Sequence, residues 1–378
     1  MNLKPGAWIV IGFSGLIILA LAISLTAPDA MPKADMDVVR TSPMPLIVDS
    51  SGLRRSTLPV LADKMPAFRG ITRWWNTEGG RPLTAEDLED RVVFVDFWTY
   101  SCINCIRTQP FMRKMWETYK DDGLVIIGVH TPEFAFEKDP ENVEAAIKRA
   151  GLEYPVALDP DYQTWNAYDN RYWPAGYFFD RQGRLRFTHF GEGQYAEQEE
   201  VIRELLAEGT TLTDAPTGVD PSPDFETIKT PETYFGAGRM RKLANLDEFK
   251  GSTPTTYRLR EPGPDEWTVG GEWKFEDEYA ASLAAGNRFR MNVEANAMHI
   301  VFGSMDGARR VRVLVDGSDP SDAQLTDDTK RQPDGSALLT ITDKDLYRVA
   351  RFPDATRHVV ELEFLDAGVE LYAATFGE

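Results

Sequence analysis

The chain has 378 residues, of which 27% are charged and 42% hydrophobic, and its formal net charge is -19. This length fits two ordinary domains with connecting segments, and the composition is that of domains that fold in water rather than of a disordered or polytopic membrane chain. The acidic surplus argues against nucleic acid as a partner, because phosphate recognition needs clustered Lys and Arg.

The N-terminus departs from that composition. Residues 1–6 read as a cytoplasmic tip, and Ala7 to Ala27 (AWIVIGFSGLIILALAISLTA) is uncharged and continuously apolar. That is long enough to cross a hydrocarbon core of roughly 30 Å as one transmembrane helix. A cleaved signal peptide is the alternative, but its apolar region is usually shorter, and Thr26-Ala27-Pro28-Asp29-Ala30 is a poor small-x-small cleavage site. Lys4 before the span and Asp29 after it favour a cytoplasmic N-terminus and an exported remainder. Residues 28–65, rich in Pro, Ser, Asp and Met without a sustained period, read as a tether.

Residues 66–209 carry alternating strand and helix signals, the pattern of an α/β layer fold. Arg91 to Phe97 (RVVFVDF) suits a buried central strand. A helix is expected next, because Ile106, Met112, Met115, Trp116 and Tyr119 recur at threes and fours before the turn at Asp121-Asp122-Gly123. Leu124 to Val129 reads as a second buried strand. Asp139 then supplies an N-cap and Pro140 a first helical residue, with Gly151 as the stop. Gly176–Asp180 and Leu185–Phe190 flank Arg181-Gln182-Gly183 as a hairpin, and Val201, Ile202, Leu205 and Leu206 mark a closing amphipathic helix.

Residues 210–229 form a second linker by composition. In 230–378 the pattern changes to alternation: Phe289, Met291 and Val293, then Val311, Val313 and Val315, then Val360, Leu362 and Phe364. An all-β sandwich is predicted there. Trp267 and Trp273 could stack on sugar rings or fill the sandwich core, and the core is the commoner fate of a Trp.

The chemistry centres on the only two cysteines, Cys102 and Cys105, where the first strand gives way to a helix. Unpaired N–H groups and the positive dipole end of a helix N-terminus stabilise a thiolate, so Cys102 is the expected nucleophile and Cys105, one turn deeper, the resolving thiol. A zinc site wants about four Cys or His ligands, and no second pair exists. A thiol peroxidase would place its thiol after a Pro-containing loop, which is missing here. Asp96, inside VVFVDFW, reads as buried, and a buried carboxylate titrates high enough to exchange protons near neutral pH. Glu133 and His130 fall at the end of the second strand, near where the cysteines should lie in a parallel sheet. Such residues are more often structural than catalytic.

The stretch Val95-Asp96-Phe97-Trp98, the CxxC, and Trp173-Pro174-Ala175 before the hairpin resemble the thioredoxin superfamily, as does the order of strands and helices. FWTYSCINC, Val129-His130-Thr131-Pro132-Glu133-Phe134 and the C-terminal phrases Thr230-Pro231-Glu232-Thr233-Tyr234-Phe235-Gly236, Gly271-Glu272-Trp273 and Thr375-Phe376-Gly377 are similar to its exported TlpA-like and DipZ-like branch. The resemblance implies a thioredoxin fold followed by a jelly-roll-like β-domain similar to carbohydrate-binding modules. It implies an extracytoplasmic thiol:disulfide oxidoreductase with catalytic Cys102, Cys105 and Asp96. Trp98, Trp173, Glu133 and a cis Pro174 would contact substrate. It further implies protein disulfides as substrates, a membrane electron donor of the CcdA/DsbD-like kind, a possible polysaccharide partner, and the periplasmic face of a bacterial inner membrane as the location. Neither a metal nor an organic cofactor is required. Ile103-Asn104 between the cysteines adds no positive charge beside Cys102, which favours reductase over oxidant. A binding protein dominated by its β-domain is the alternative reading.

Overall fold

The computed structural model describes residues 56–208, 212 and 215–378, together with the backbone of two short paired strands, β1 (Ile47–Val48) and β2 (Arg54–Arg55). The apolar stretch 7–27 and its reading as an anchor lie outside the described residues. Among those residues no helix is long and apolar enough to cross a membrane.

The first half is built from β3 (Arg73–Trp75), β4 (Val92–Trp98), α1 (Ile103–Tyr119), β5 (Leu124–His130), α2 (Pro140–Ala150), β6 (Val156–Leu158), α3 (Gln163–Ala167), β7 (Ala175–Phe179), β8 (Leu185–Phe190) and α4 (Tyr195–Leu206). Its sheet runs β3-β6-β5-β4-β7-β8, with β4, β5 and β6 parallel and the remaining pairs antiparallel. All seven residues of β4 are buried, as a strand covered on both faces requires. Phe94 and Trp98 pack on one face with Phe111, Met112 and Met115 of α1, while Val93, Val95 and Phe97 pack on the other with Trp165 and Tyr168. The Asp139 carboxylate caps α2 by accepting from the Glu141 N–H at 2.9 Å, and Gly151 ends it at φ 62°. Three elements exceed the sequence reading, β3, β6 and α3. At three, three and five residues they are too short to show a period.

Both connecting segments are docked where they are described. Leu61 N–H donates to the Leu185 carbonyl at 2.8 Å, and the Leu185 N–H to that of Ala62 at 2.9 Å, so the end of the expected tether lies along β8. In the expected linker, Thr217 donates to the Glu199 carboxylate from its N–H (2.6 Å) and its hydroxyl (2.8 Å).

The second half is all β: β9 (Thr233–Tyr234), β10 (Thr255–Tyr257), β11 (Trp267–Phe275), β12 (Ala280–Ser282), β13 (Arg288–Glu294), β14 (Ala297–Ser304), β15 (Arg309–Val315), β16 (Thr329–Arg331), β17 (Ala337–Ile341), β18 (Asp345–Arg351), β19 (Arg357–Phe364) and β20 (Val369–Phe376). One set runs β16-β17-β15-β19-β13-β11 and the other β11-β12-β20-β14-β18. β11 serves both: residues 267–270 pair with β13, and its later residues with β10 and β12. The switch falls at Gly270-Gly271, where Gly271 has φ +95° and a Cβ would meet Asn287 Oδ1 at 2.0 Å. Only glycine supplies that backbone at such a close approach. Residues from both sets close over one core. Trp267 and Trp273 lie within it, their indole N–H groups donating to the Arg241 and Gly270 carbonyls at 2.7 and 3.0 Å. Neither ring has a free face, so of the two expected fates the favoured one holds: both residues fill the core and do not stack on sugar.

Candidate active site

The cysteines sit where β4 runs into α1. Cys102 is the N-cap, in extended conformation (φ -79°, ψ 116°), and its sulfur accepts from the Cys105 N–H at 3.3 Å. The first helical turn thus aims its unpaired donors and dipole at the sulfur that must carry negative charge. Cys102 is partly exposed, Cys105 is 2% exposed, and both are free thiols. Burial pushes the Cys105 thiol well above its ordinary range, reinforced by the hydrogen bond and charge of Cys102. Cys105 therefore keeps its proton until a neighbouring base takes it.

Asp96 is that neighbour. Burial alone pushes its carboxyl up to about 7, and its charge in turn raises Cys105. It occupies the α1 side of β4, between Phe94 and Trp98. Opposite it on the flanking strands stand Gly128 and Gly176. A Cβ at either would come within 2.9 Å of Trp98 Nε1 or Phe94 Cε2. The two aromatic neighbours lean over the glycines and wall the carboxyl in.

The other sequence candidates divide. Trp98 is buried, edge-on to His130 with centroids 5.0 Å apart, so its reading as a substrate contact is corrected. It shapes the pocket of Asp96 instead. His130 is a core histidine whose burial lowers it to about 3, keeping it neutral. The Trp173-Pro174 bond is cis. The Trp173 ring packs on Trp165 at 4.2 Å and its N–H donates to the Thr131 carbonyl at 3.0 Å. Its main-chain N–H and C=O make no backbone hydrogen bond among the described residues, which leaves them open to a visiting chain. Glu133 faces the β-domain: its carboxylate accepts from Tyr234 Oη at 2.7 Å and Arg239 Nη1 at 2.8 Å. Its expected place against substrate is taken by this interdomain pair.

Family models match both halves: the AhpC/TSA family over residues 61–188 and the thioredoxin like C-terminal domain over residues 230–377. Protein DipZ of Mycobacterium tuberculosis is 38% identical over 67% of this chain and 36% of its own. The thiol-disulfide oxidoreductase ResA of Halalkalibacterium halodurans is 30% identical over 34% of this chain and 69% of its own. The chain belongs to the thioredoxin superfamily and is DipZ-like. A further member, the thiol-disulfide oxidoreductase YkuV of Bacillus subtilis, is 29% identical over 39% of this chain and 97% of its own. The chain spans little more than a third of DipZ, 36% of its length.

Within this thioredoxin-superfamily site, Glu137 and Arg107 escaped sequence reading, as did the packing of Ile103 against the β-domain. Glu137 is fully buried and accepts from four neutral donors: Ser101 N–H (3.2 Å), Ser101 Oγ (2.7 Å), Glu133 N–H (2.6 Å) and Phe134 N–H (2.9 Å). It ties the residue before Cys102 to the loop after β5. Burial, with the Glu133 charge nearby, pushes it up to about 7. Ile103, between the cysteines, joins Phe134 in a cluster with Val301, Leu346, Tyr372 and Ala373 of the β-domain. Arg107, on α1, pairs with Glu192 at 2.7 Å and reaches the Gly377 carbonyl at 3.0 Å. An acid or an arginine with no motif around it carries no sequence signal when the partners that give it a role lie far along the chain, as Ser101 does from Glu137 and Glu192 and Gly377 do from Arg107. For Glu137 the nearest clue was an acid directly after the aromatic run Phe134-Ala135-Phe136.

Proposed function

We propose that the chain is a thiol:disulfide oxidoreductase that reduces disulfides in exported proteins. One observation carries the reading: a partly exposed Cys102 at a helix N-cap, one turn above a buried Cys105 that shares its pocket with the buried Asp96. The Cys102 thiolate attacks one sulfur of the client disulfide; that S–S bond breaks, a mixed disulfide forms, and the client's first thiolate leaves and takes a proton. Cys105 then gives its proton to the Asp96 carboxylate and attacks the Cys102 sulfur. The second client sulfur departs as a thiolate and takes a proton, so the two electrons lost by the protein leave with the client as its two thiols, and the protein is left oxidised with a Cys102–Cys105 disulfide. Trp173 and Pro174 border the site and offer main-chain groups to the client. The reading draws support from the relatives named thiol-disulfide oxidoreductases.

Turnover needs a dithiol donor to restore the thiols, and a membrane protein of the CcdA/DsbD-like kind fits that role. The apolar stretch 7–27 would hold the chain at the membrane, with its domains on the periplasmic side. Equilibrating the Cys102/Cys105 pair against glutathione tests the direction. A potential near -270 mV, as for thioredoxin, supports a reductase, whereas one near -120 mV marks an oxidant and overturns it. Consumption of hydrogen peroxide in place of disulfides would favour a peroxidase.

A further inference from the structure

The pocket of Asp96 holds two polar groups that the fold leaves without partners. The Asp96 carboxyl is 5% exposed, and among the described residues neither a hydrogen bond nor a cation supports its charged form. Beside it, the indole N–H of Trp98 is enclosed and has no acceptor. The two side chains stand two residues apart on β4 and so point to the same face. Gly128 lies opposite Asp96 on β5, and a Cβ there would meet Trp98 Nε1 at 2.9 Å and the Tyr154 ring at 3.1 Å. The indole N–H thus reaches into the space beside the carboxyl that a side chain at 128 would otherwise take.

No neighbour supplies the missing charge. The titratable groups around the pocket are Cys105 from α1, Tyr154 from the loop before β6, His130 from β5, which lies against the Trp98 ring at 5.0 Å, and Tyr195 from α4, whose hydroxyl is taken by Thr108 at 3.0 Å. β7 contributes only Gly176 and Phe178. Burial keeps His130 neutral and Tyr154 protonated. Arg113 of α1, whose charge Tyr154 feels, is turned to the Ala150 carbonyl at 2.8 Å.

An N–H left unpaired in a protein interior is costly, and a phenylalanine at position 98 would fill the same site without that cost. The indole N–H gains a partner once Asp96 is charged. A carboxylate that accepts a hydrogen bond is favoured over the neutral acid, and hydrogen bonds at reacting groups are commonly long at rest and tighten during turnover. Asp96 has to be a carboxylate to take the Cys105 proton, and burial with no donor favours the acid form instead.

We propose that Trp98 is a positioning residue for the second half of the reaction: its indole N–H donates to the Asp96 carboxylate and keeps that group ready to accept the Cys105 proton. The proton passes from the Cys105 sulfur to an Asp96 oxygen, the Cys105 thiolate attacks the Cys102 sulfur, and the bond from Trp98 weakens as Asp96 becomes neutral. The inference rests on the oxidoreductase reading and adds a residue to it.

The test mixes the reduced full chain with an aromatic disulfide whose thiolate absorbs visible light, followed by stopped-flow. The first thiolate released reports attack by Cys102, and the second reports attack by Cys105. In Trp98→Phe the pH midpoint of the second phase should rise by about one unit, so that its rate near neutral pH falls roughly tenfold and recovers in alkali. In an Asp96→Asn background the same change should add no shift. A loss equal at every pH, a shift that persists in the Asp96→Asn background, or a shift in Tyr154→Phe with none in Trp98→Phe, overturns the proposal. Should Trp98→Phe fail to fold, the wild type decides by NMR: the Trp98 indole N–H resonance should move with the Asp96 titration, and a resonance that stays fixed overturns the bond. If the wild type releases no second thiolate, the oxidoreductase reading itself fails and the role of Trp98 falls with it.

Discussion

Both halves bury most of their aromatic side chains, but among the described residues only the thioredoxin-like half, and not the β-domain, leaves large aromatic rings exposed. In the β-domain the strand alternation turns Trp267, Trp273, Phe275 and Phe289 inward, and all are fully enclosed. In the thioredoxin-like half, Tyr172 and Phe190 are exposed and lie against each other at 5.2 Å, with Phe190 next to Tyr177 on the sheet face opposite α1. An aromatic residue in this β-domain is therefore no sign of a binding face. Its register within the sheet decides. The β-domain contributes to the site through Tyr372 and Leu346, which roof Ile103, rather than through its tryptophans.

Changes on the two sides of that contrast should differ in kind. The largest effect belongs to the cysteines: Cys102→Ser should reduce disulfide turnover to background, and Cys105→Ser should trap the client as a mixed disulfide visible on a non-reducing gel. Trapping by Cys102→Ser instead would reverse the roles assigned to the two thiols. Trp267→Ala should lower stability to denaturant by about 3–5 kcal/mol, the usual loss for an enclosed Trp, without altering the rate of the folded fraction. Phe225→Ala, by contrast, should cost less than about 0.5 kcal/mol, as expected at a surface position. If the two variants were equally destabilised, the distinction between enclosed and exposed rings would be lost.

The buried acids give a pH test with a definite sign. Burial lifts Asp96 from an ordinary 3.8 to about 7, so the folded state holds that proton more tightly than the unfolded one. The resulting stability is fully present below about pH 4 and lost as pH rises through about 7. Wild type should therefore lose stability relative to Asp96→Asn between pH 4 and pH 8, on the order of a few kcal/mol. The same variant should slow release of the mixed disulfide near neutral pH, read by stopped-flow. Glu137, also lifted to about 7, contributes with the same sign, so Glu137→Gln should flatten the stability profile in the same window. A difference independent of pH would show that these carboxyls are ionised throughout. A small effect is also expected from Arg239→Ala: its partner Glu133 is 10% exposed but Arg239 is 43% exposed, so solvent screening holds the pair to about 1 kcal/mol or less.

Much of the architecture could be read from sequence because its signals are local. β4, α1, β5, α2 and the β7–β8 hairpin announced themselves through runs, periods and caps that need only a few neighbouring residues. β6 did not, since three apolar residues are shared by any buried segment, and only pairing with β5 and β3 makes them a strand. Trp98 and Glu133 were placed against substrate because they sit beside the right motifs. Position along the chain says nothing about which way a side chain turns or what lies 100 residues away.

By itself the sequence determined the reactive pair and its setting: two cysteines one helical turn apart, at a helix start after a buried strand bearing Asp96. Those properties follow from covalent spacing and from the backbone groups every helix leaves unpaired at its N-terminus. Only the tertiary structure decided that Cys105 and Asp96 share a buried pocket walled by Phe94 and Trp98, that Glu137 braces the turn, and that the β-domain closes one approach to Cys102. Each depends on burial and on contacts between residues distant in sequence, because desolvation and packing exist only once the chain has folded.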